Sequence, residues 1–167
     1  MNPVTVWVAL GSNLGDRRAN LDGAVEALRS ADDIEVVRVS PWIETRAVGG
    51  PAGQPDFLNG CLEARTTLAP EDLLWLLQRI ETQFGRERAR EPRHGPRPLD
   101  LDLLLYGELE LARPDLVVPH PRMEERTFVL EPLCALAPEL RLRSGRTVRE
   151  RLAELRGELR PAREART

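Results

Sequence analysis

The chain has 167 residues, with 24 basic side chains against 27 acidic ones and a formal net charge of -3. That length suits one domain with a buried core, and a negative balance argues against a general nucleic-acid binder held by excess positive charge. Every basic residue is an arginine, which excludes a P-loop lysine, a Schiff-base lysine and a kinase-type ATP lysine.

Val4 to Leu10 is an apolar, β-branched run that ends at Gly11 and reads as a buried strand. It lacks the basic n-region and cleavage pattern of an export signal, and no apolar run approaches the ~20 residues of a membrane helix. The expected location is therefore cytoplasmic, and Cys61 and Cys134 are expected to stay reduced as small core residues. Asp16 to Arg29 places Leu21, Ala24, Val25 and Leu28 on one helical stripe. Ile34 to Ile43 reads as a second strand, and Glu44 to Pro55, with Gly49, Gly50, Pro51 and Gly53, as a loop. Phe57 to Thr67 is a third strand. Pro70 opens a helix at the first-turn position, with Leu73, Leu76, Leu77, Ile80 and Phe84 as its core stripe and Gly85 as its stop. Arg86 to Pro98 is a basic loop. Leu99 to Leu105 is a fourth strand, turned at Tyr106-Gly107 into a return around Leu109 to Leu111. Prolines then divide the chain into short pieces, with helical turns over Phe128 to Leu136 and a last helix over Val148 to Arg156.

The order β-α-β-β-α-β predicts an α+β, ferredoxin-like core, with an antiparallel sheet, helices on one face and C-terminal additions. Residues 1–160 form a single domain in this reading, and 161–167 a flexible Arg-rich tail. The other sheet face is left for a ligand.

Strand alternation puts Leu99, Leu101, Leu103 and Leu105 on a core face and Asp100 and Asp102 together on the other. Two adjacent carboxylates repel, and a divalent cation relieves the repulsion; magnesium is commonly held by one or two carboxylates plus substrate phosphates. Alone, such a pair is more often a solvated acidic face. The preceding loop adds weight: Arg86, Arg88, Arg90, Arg93 and Arg97 against Glu87 and Glu91 give +3 in twelve residues. Guanidinium forks suit phosphate oxygens as carboxylates suit metals. Between Arg86 and Gly95 only Ala89 offers an apolar anchor, so a mobile loop that orders over a nucleotide is expected there. Gly11-Ser12-Asn13-Leu14-Gly15 reads as a tight structural turn. His120, ahead of Arg122 and Arg126, is a candidate phosphate donor, although a lone histidine is most often structural. Phe57 and Phe128 are core residues by default and ring-stacking candidates by position. Three readings stay open on these residues: a diphosphotransferase, a nucleotidyltransferase, and a ferredoxin-like RNA-binding module.

Four blocks in order extend this. Val8-Ala9-Leu10-Gly11-Ser12-Asn13-Leu14-Gly15-Asp16, Gln54-Pro55-Asp56-Phe57-Leu58-Asn59, Gly95-Pro96-Arg97-Pro98-Leu99-Asp100-Leu101-Asp102, and Pro119-His120-Pro121-Arg122 with Arg126 and Phe128-Val129-Leu130 resemble 6-hydroxymethyl-7,8-dihydropterin pyrophosphokinase, a folate-pathway family. The likeness runs from about Val4 to Leu140. It implies an enzyme that moves the diphosphoryl group of ATP to the pterin hydroxymethyl group and releases AMP. It implies that Asp100 and Asp102 hold two Mg²⁺ ions, and that Arg86 and Arg97 act catalytically on the triphosphate with Arg88 and Arg126. His120, Leu103, Leu116 and Val117 complete the implied ATP site. The pterin would stack between Phe57 and Phe128, pair with Asn59, and meet backbone groups from Thr45 to Val48. The implied partners are these small molecules alone, with no nucleic acid and no membrane, on a monomer. The sequence departs from the family where His94 stands for a tryptophan, Pro98 for a threonine and Phe57 for a tyrosine, and where Asp115 occupies the place of an adenine-side arginine.

Overall fold

The structure is a computed structural model and describes residues 2–47, 50–87 and 95–158. Five strands, β1 (Val4–Ser12), β2 (Ile34–Val39), β3 (Ile43–Thr45), β4 (Phe57–Thr66) and β5 (Asp100–Tyr106), form one antiparallel sheet. Its order is β2-β4-β1-β5, with β3 pairing on β4. The expected strand from Ile34 to Ile43 is therefore two. Ser40-Pro41-Trp42 breaks it, and Glu44 and Thr45, expected in the loop, belong to β3 with Thr45 opposite Phe57. Beyond β5, β6 (Leu111–Arg113) and β7 (Leu116–Val118) make a separate two-stranded ribbon.

Helices α1 (Arg17–Arg29) and α2 (Pro70–Gln83) cover one sheet face. Asp16 caps α1 by accepting from the Ala19 N–H at 3.0 Å, as a short side-chain acceptor at that position does. The predicted stripe of α1 is buried against Val6, Val8, Leu10, Leu62 and Ala64. Fully enclosed leucines such as Leu21, Leu28, Leu73 and Leu77 are each worth roughly 1.5–3 kcal/mol of apolar burial. The buried face of α2 also includes Glu81, which periodicity does not anticipate because a carboxylate breaks the apolar stripe.

The C-terminal additions α3 (Thr127–Leu136) and α4 (Val148–Leu155) pack together on the opposite side of the sheet. A capping box between Thr147 and Glu150 starts α4. Their core contains Trp7, Cys61, Leu104 and Leu105. The face expected to lie open is thus covered along much of its length.

One prediction about β5 fails for a local reason. Trp7 pairs with Leu105 and Val8 with Leu103, so Leu104 is an extra residue in the ladder. Such a bulge shifts the residues beyond it to the other face. Leu105 therefore joins Leu104 and Trp7 on the α3–α4 side. Leu99, Leu101 and Leu103 face α1 and α2 as expected.

Candidate active site

Asp100 is paired across the ladder with Gly11, and Gly11 with Asn59; Asp102 is paired with Ala9. Directly paired side chains share a face, and so do alternate residues along each strand. Phe57, Asn59, Gly11, Asp100 and Asp102 therefore lie on one face at one end of three adjacent strands. This is the face on which α3 and α4 pack.

Gly11 is the centre of that row, and its missing side chain matters. A Cβ there would lie 2.9 Å from Asn59 Oδ1 and 3.4 Å from the Phe57 ring. A side chain would displace the amide or the ring. Asn59 is 7% exposed and donates from Nδ2 to Thr45 Oγ1. Thr45 is itself placed by pairing with Phe57. Three residues expected on the pterin side are thus brought together by β3, of which the sequence reading placed Glu44 and Thr45 in a loop.

On the other side, Arg86 departs from its expected place on a mobile loop. Gly85, at φ 92°, adopts the left-handed conformation that ends a helix. The turn brings the Arg86 N–H back to the Glu81 carbonyl at 3.1 Å. The Arg86 side chain then runs inward, and the residue is 6% exposed. Its Nη1 donates to Glu81 Oε2 at 2.7 Å, Asp100 Oδ1 at 2.8 Å and the Leu99 carbonyl at 3.3 Å. Glu81 Oε2 also accepts from the Leu101 N–H at 2.8 Å. Glu81 is the residue that the sequence reading missed. Its signal was a carboxylate in the last turn of an otherwise apolar helical stripe.

Arg97 is held by its backbone. Its N–H donates to Asn13 Oδ1 at 2.8 Å, and its carbonyl accepts from the Asn13 N–H at 3.1 Å. The side chain reaches Asp100, with Nη1 3.3 Å from Oδ2. Both oxygens of Asp100 therefore face guanidinium groups. Asp102 is different. Its carboxyl is pushed up from 3.8 to about 7, first by burial and then by the charges of Asp100 and Glu81. Arg126 and Arg86 oppose the shift.

His120 comes after the cis Val118-Pro119 bond, and its N–H donates to the Leu104 carbonyl at 2.9 Å. Burial lowers its pKa below the ordinary histidine value, aided by Arg126 and Arg122. The Arg122 N–H donates to Nδ1 at 3.2 Å, so the neutral ring carries its proton on Nε2. Arg126 lies over the Phe128 ring at 5.5 Å from its centroid, a cation–π contact.

Two residues expected at the ATP site have buried side chains. Leu103 is buried among the α1–α2 core side chains, on the face opposite Asp102, because odd-numbered residues before the bulge point there. Leu116 is also buried in that core, while Val117 beside it is exposed. Val48, Arg88 and His94 fall outside the described residues, as do residues 159–167.

Comparison with known proteins gives a consistent answer. The family profile of 7,8-dihydro-6-hydroxymethylpterin-pyrophosphokinase (HPPK) matches residues 7–138. The chain is 49% identical over 148 residues to the 2-amino-4-hydroxy-6-hydroxymethyldihydropteridine pyrophosphokinase of Pseudomonas aeruginosa, covering 89% of this chain and 90% of that one. It is 46% identical over 142 residues to the protein of the same name from Synechocystis, covering 84% and 71%. A crystal structure of a Plasmodium falciparum HPPK-DHPS triple mutant with pteroate superposes with a TM-score of 0.67 at 12% identity. That match covers 91% of this chain and 43% of the other, and at such identity it bears on the fold alone.

Proposed function

The chain belongs to the 7,8-dihydro-6-hydroxymethylpterin-pyrophosphokinase family, and from that premise we propose how its residues divide the work. The enzyme transfers the diphosphoryl group of ATP to the hydroxymethyl group of 6-hydroxymethyl-7,8-dihydropterin in folate biosynthesis. The hydroxymethyl oxygen gives up its proton to water and bonds to the β-phosphorus, the bond from that phosphorus to the oxygen bridging to the α-phosphorus breaks, and AMP leaves with that oxygen. The observation that carries the division is the paired row Asp100–Gly11–Asn59. Asp100, for the phosphate side, and Asn59, for the pterin side, stand on the two strands that flank β1.

Asn59 orients the pterin through its donor–acceptor edge, and Phe57 and Phe128 offer ring faces for stacking. Thr45 fixes the Asn59 amide. On the phosphate side Arg97 presents a preorganised guanidinium, held by its backbone bonds to Asn13. His120, neutral with its proton on Nε2, donates to a phosphate oxygen, and Arg126 adds charge beside it. Arg86 holds Asp100 and shapes the site from beneath. The exposed Val117 lies on the ribbon expected near the adenine, and Arg88 is a further cation for the triphosphate.

Asp100 and Asp102 suit magnesium. Among the described residues no cluster of three or more histidine, cysteine or acidic side chains forms a closed metal cage. A pair of carboxylates, one of them with its pKa raised to about 7 by burial and its neighbour's charge, leaves positions for phosphate oxygens and water, as Mg²⁺ prefers. Two bound ions would neutralise the phosphate oxygens. No helix of the described residues is long and apolar enough to cross a membrane. The proposed enzyme is a cytoplasmic monomer whose partners are small molecules.

The decisive assay tracks the products. AMP should form from Mg-ATP only when the hydroxymethylpterin is present. Pyrophosphate release would favour a nucleotidyltransferase instead.

A further inference from the structure

Asn13 lies in the turn after β1 and is 1% exposed. Its side-chain amide is fully engaged. Nδ2 donates to Gln54 Oε1 at 3.2 Å and to the Pro55 carbonyl at 3.1 Å. Oδ1 accepts from the Arg97 N–H at 2.8 Å, and the Asn13 N–H donates to the Arg97 carbonyl at 3.1 Å. One planar group thus joins the segment that leads into Phe57 and Asn59 to the segment that leads into Asp100.

The mount beneath it is fixed. Asn20, on α1, donates from Nδ2 to the Leu14 carbonyl at 3.1 Å and to the Pro98 carbonyl at 3.1 Å. The turn is therefore anchored both to the helix and to the residue after Arg97. A shift of residues 54–55 cannot be absorbed by the turn. It must stretch the Nδ2 bonds or rotate the amide, and rotation breaks the Oδ1 bond to Arg97. A buried amide that loses its partners is left unsatisfied at a cost in free energy, so the two segments tend to move together.

Resting on the functional reading above, we infer that Asn13 is a positioning residue shared by the pterin and nucleotide subsites, and that each ligand alters the affinity of the other through this one amide. Filling the pterin subsite fixes residues 54–57 and, through Asn13, fixes Arg97 where it meets phosphate. Binding of nucleotide does the reverse. Such linkage is reciprocal by thermodynamic necessity.

The test is a binding cycle on the full chain by calorimetry. The affinity for 6-hydroxymethylpterin is measured with and without Mg-α,β-methylene-ATP, and the affinity for the nucleotide with and without the pterin. In the native sequence the ligands should change each other's affinity by about fivefold or more, equally in both directions. Asn13→Asp keeps an acceptor for the Arg97 N–H and removes both donors to residues 54–55. Its coupling factor should fall to within about twofold of one, while the nucleotide alone still binds. Gln54→Ala removes one of the two acceptors away from the turn and should give an intermediate factor; it decides the matter alone if Asn13→Asp does not fold. A merely structural role would weaken both ligands and leave the factor unchanged. A native factor of one, or a native factor retained in the variants, overturns the inference. Failure of the native chain to bind either ligand overturns the functional reading itself.

Discussion

Arg86 donates to Asp100 at 2.8 Å from beneath the sheet edge, while its guanidinium also rests on the buried carboxylate of Glu81. A residue placed by motif on a phosphate-gripping loop is thus an internal strut between α2 and β5. Its position makes different demands on stability and on catalysis from those of an exposed arginine.

Arg86→Ala should destabilise the fold. The change leaves the Glu81 carboxylate buried without that guanidinium, with the Leu101 N–H still donating to it. Breaking one side of a buried charge pair costs on the order of 3 kcal/mol. Urea unfolding measures this. A variant as stable as the native protein would place the Arg86 side chain back on the surface.

Asp100→Ala and Asp102→Ala should each abolish turnover at ordinary Mg²⁺ while the far-ultraviolet circular dichroism is unchanged. The two side chains share a sheet face outside either hydrophobic core. Turnover near the native rate in either variant would remove the metal assignment.

Stability should also depend on pH through Asp102. Its carboxyl titrates at about 7 when folded, against 3.8 ordinarily, because burial and the charge of Asp100 disfavour ionisation. Between those values the folded state binds a proton that the unfolded state has released, so stability falls as pH rises. The cost is absent below 3.8 and complete above about 7. Asp102→Asn cannot ionise there and should gain stability over the native metal-free protein as pH rises from about 5 to about 8. Thermal melts at both values test the sign; a gap that shrinks with pH contradicts it.

Gly11→Ala should weaken pterin binding more than ATP binding. The added methyl meets Asn59 Oδ1 at 2.9 Å and the Phe57 ring at 3.4 Å. Overpacking of this kind costs roughly 1–3 kcal/mol, so a pterin KM raised by about tenfold is expected from steady-state kinetics. An equal rise in both KM values would point to general distortion of β1.

Phe128→Ala should likewise act mainly on the pterin. A lost aromatic face is worth about 0.5–1.5 kcal/mol beyond its area. Arg126 stacks on the same ring, so a smaller loss of nucleotide affinity should accompany it. Equal losses in calorimetry would make Phe128 a support for the fold.

The sequence by itself determined the local features. A period of 3.6 placed the stripes of α1 and α2, and a period of two put Asp100 and Asp102 on one face, since both depend only on near neighbours. The motif blocks marked Asn59, Arg97 and His120 without saying what holds them. The tertiary structure decided the rest, because each deciding contact joins distant segments. Leu105 changed faces through a bulge defined only by pairing with Trp7 and Val8. The helices expected as C-terminal additions covered much of a sheet face once Trp7 and Cys61 were there to pack against. Glu81 gained its meaning from Arg86 and Leu101, and Asn13 from Gln54, Pro55 and Arg97. A polar side chain carries no periodic signature of its buried partners. Its hydrogen bonds exist only after the chain has brought both ends together, so their identity is a property of the fold.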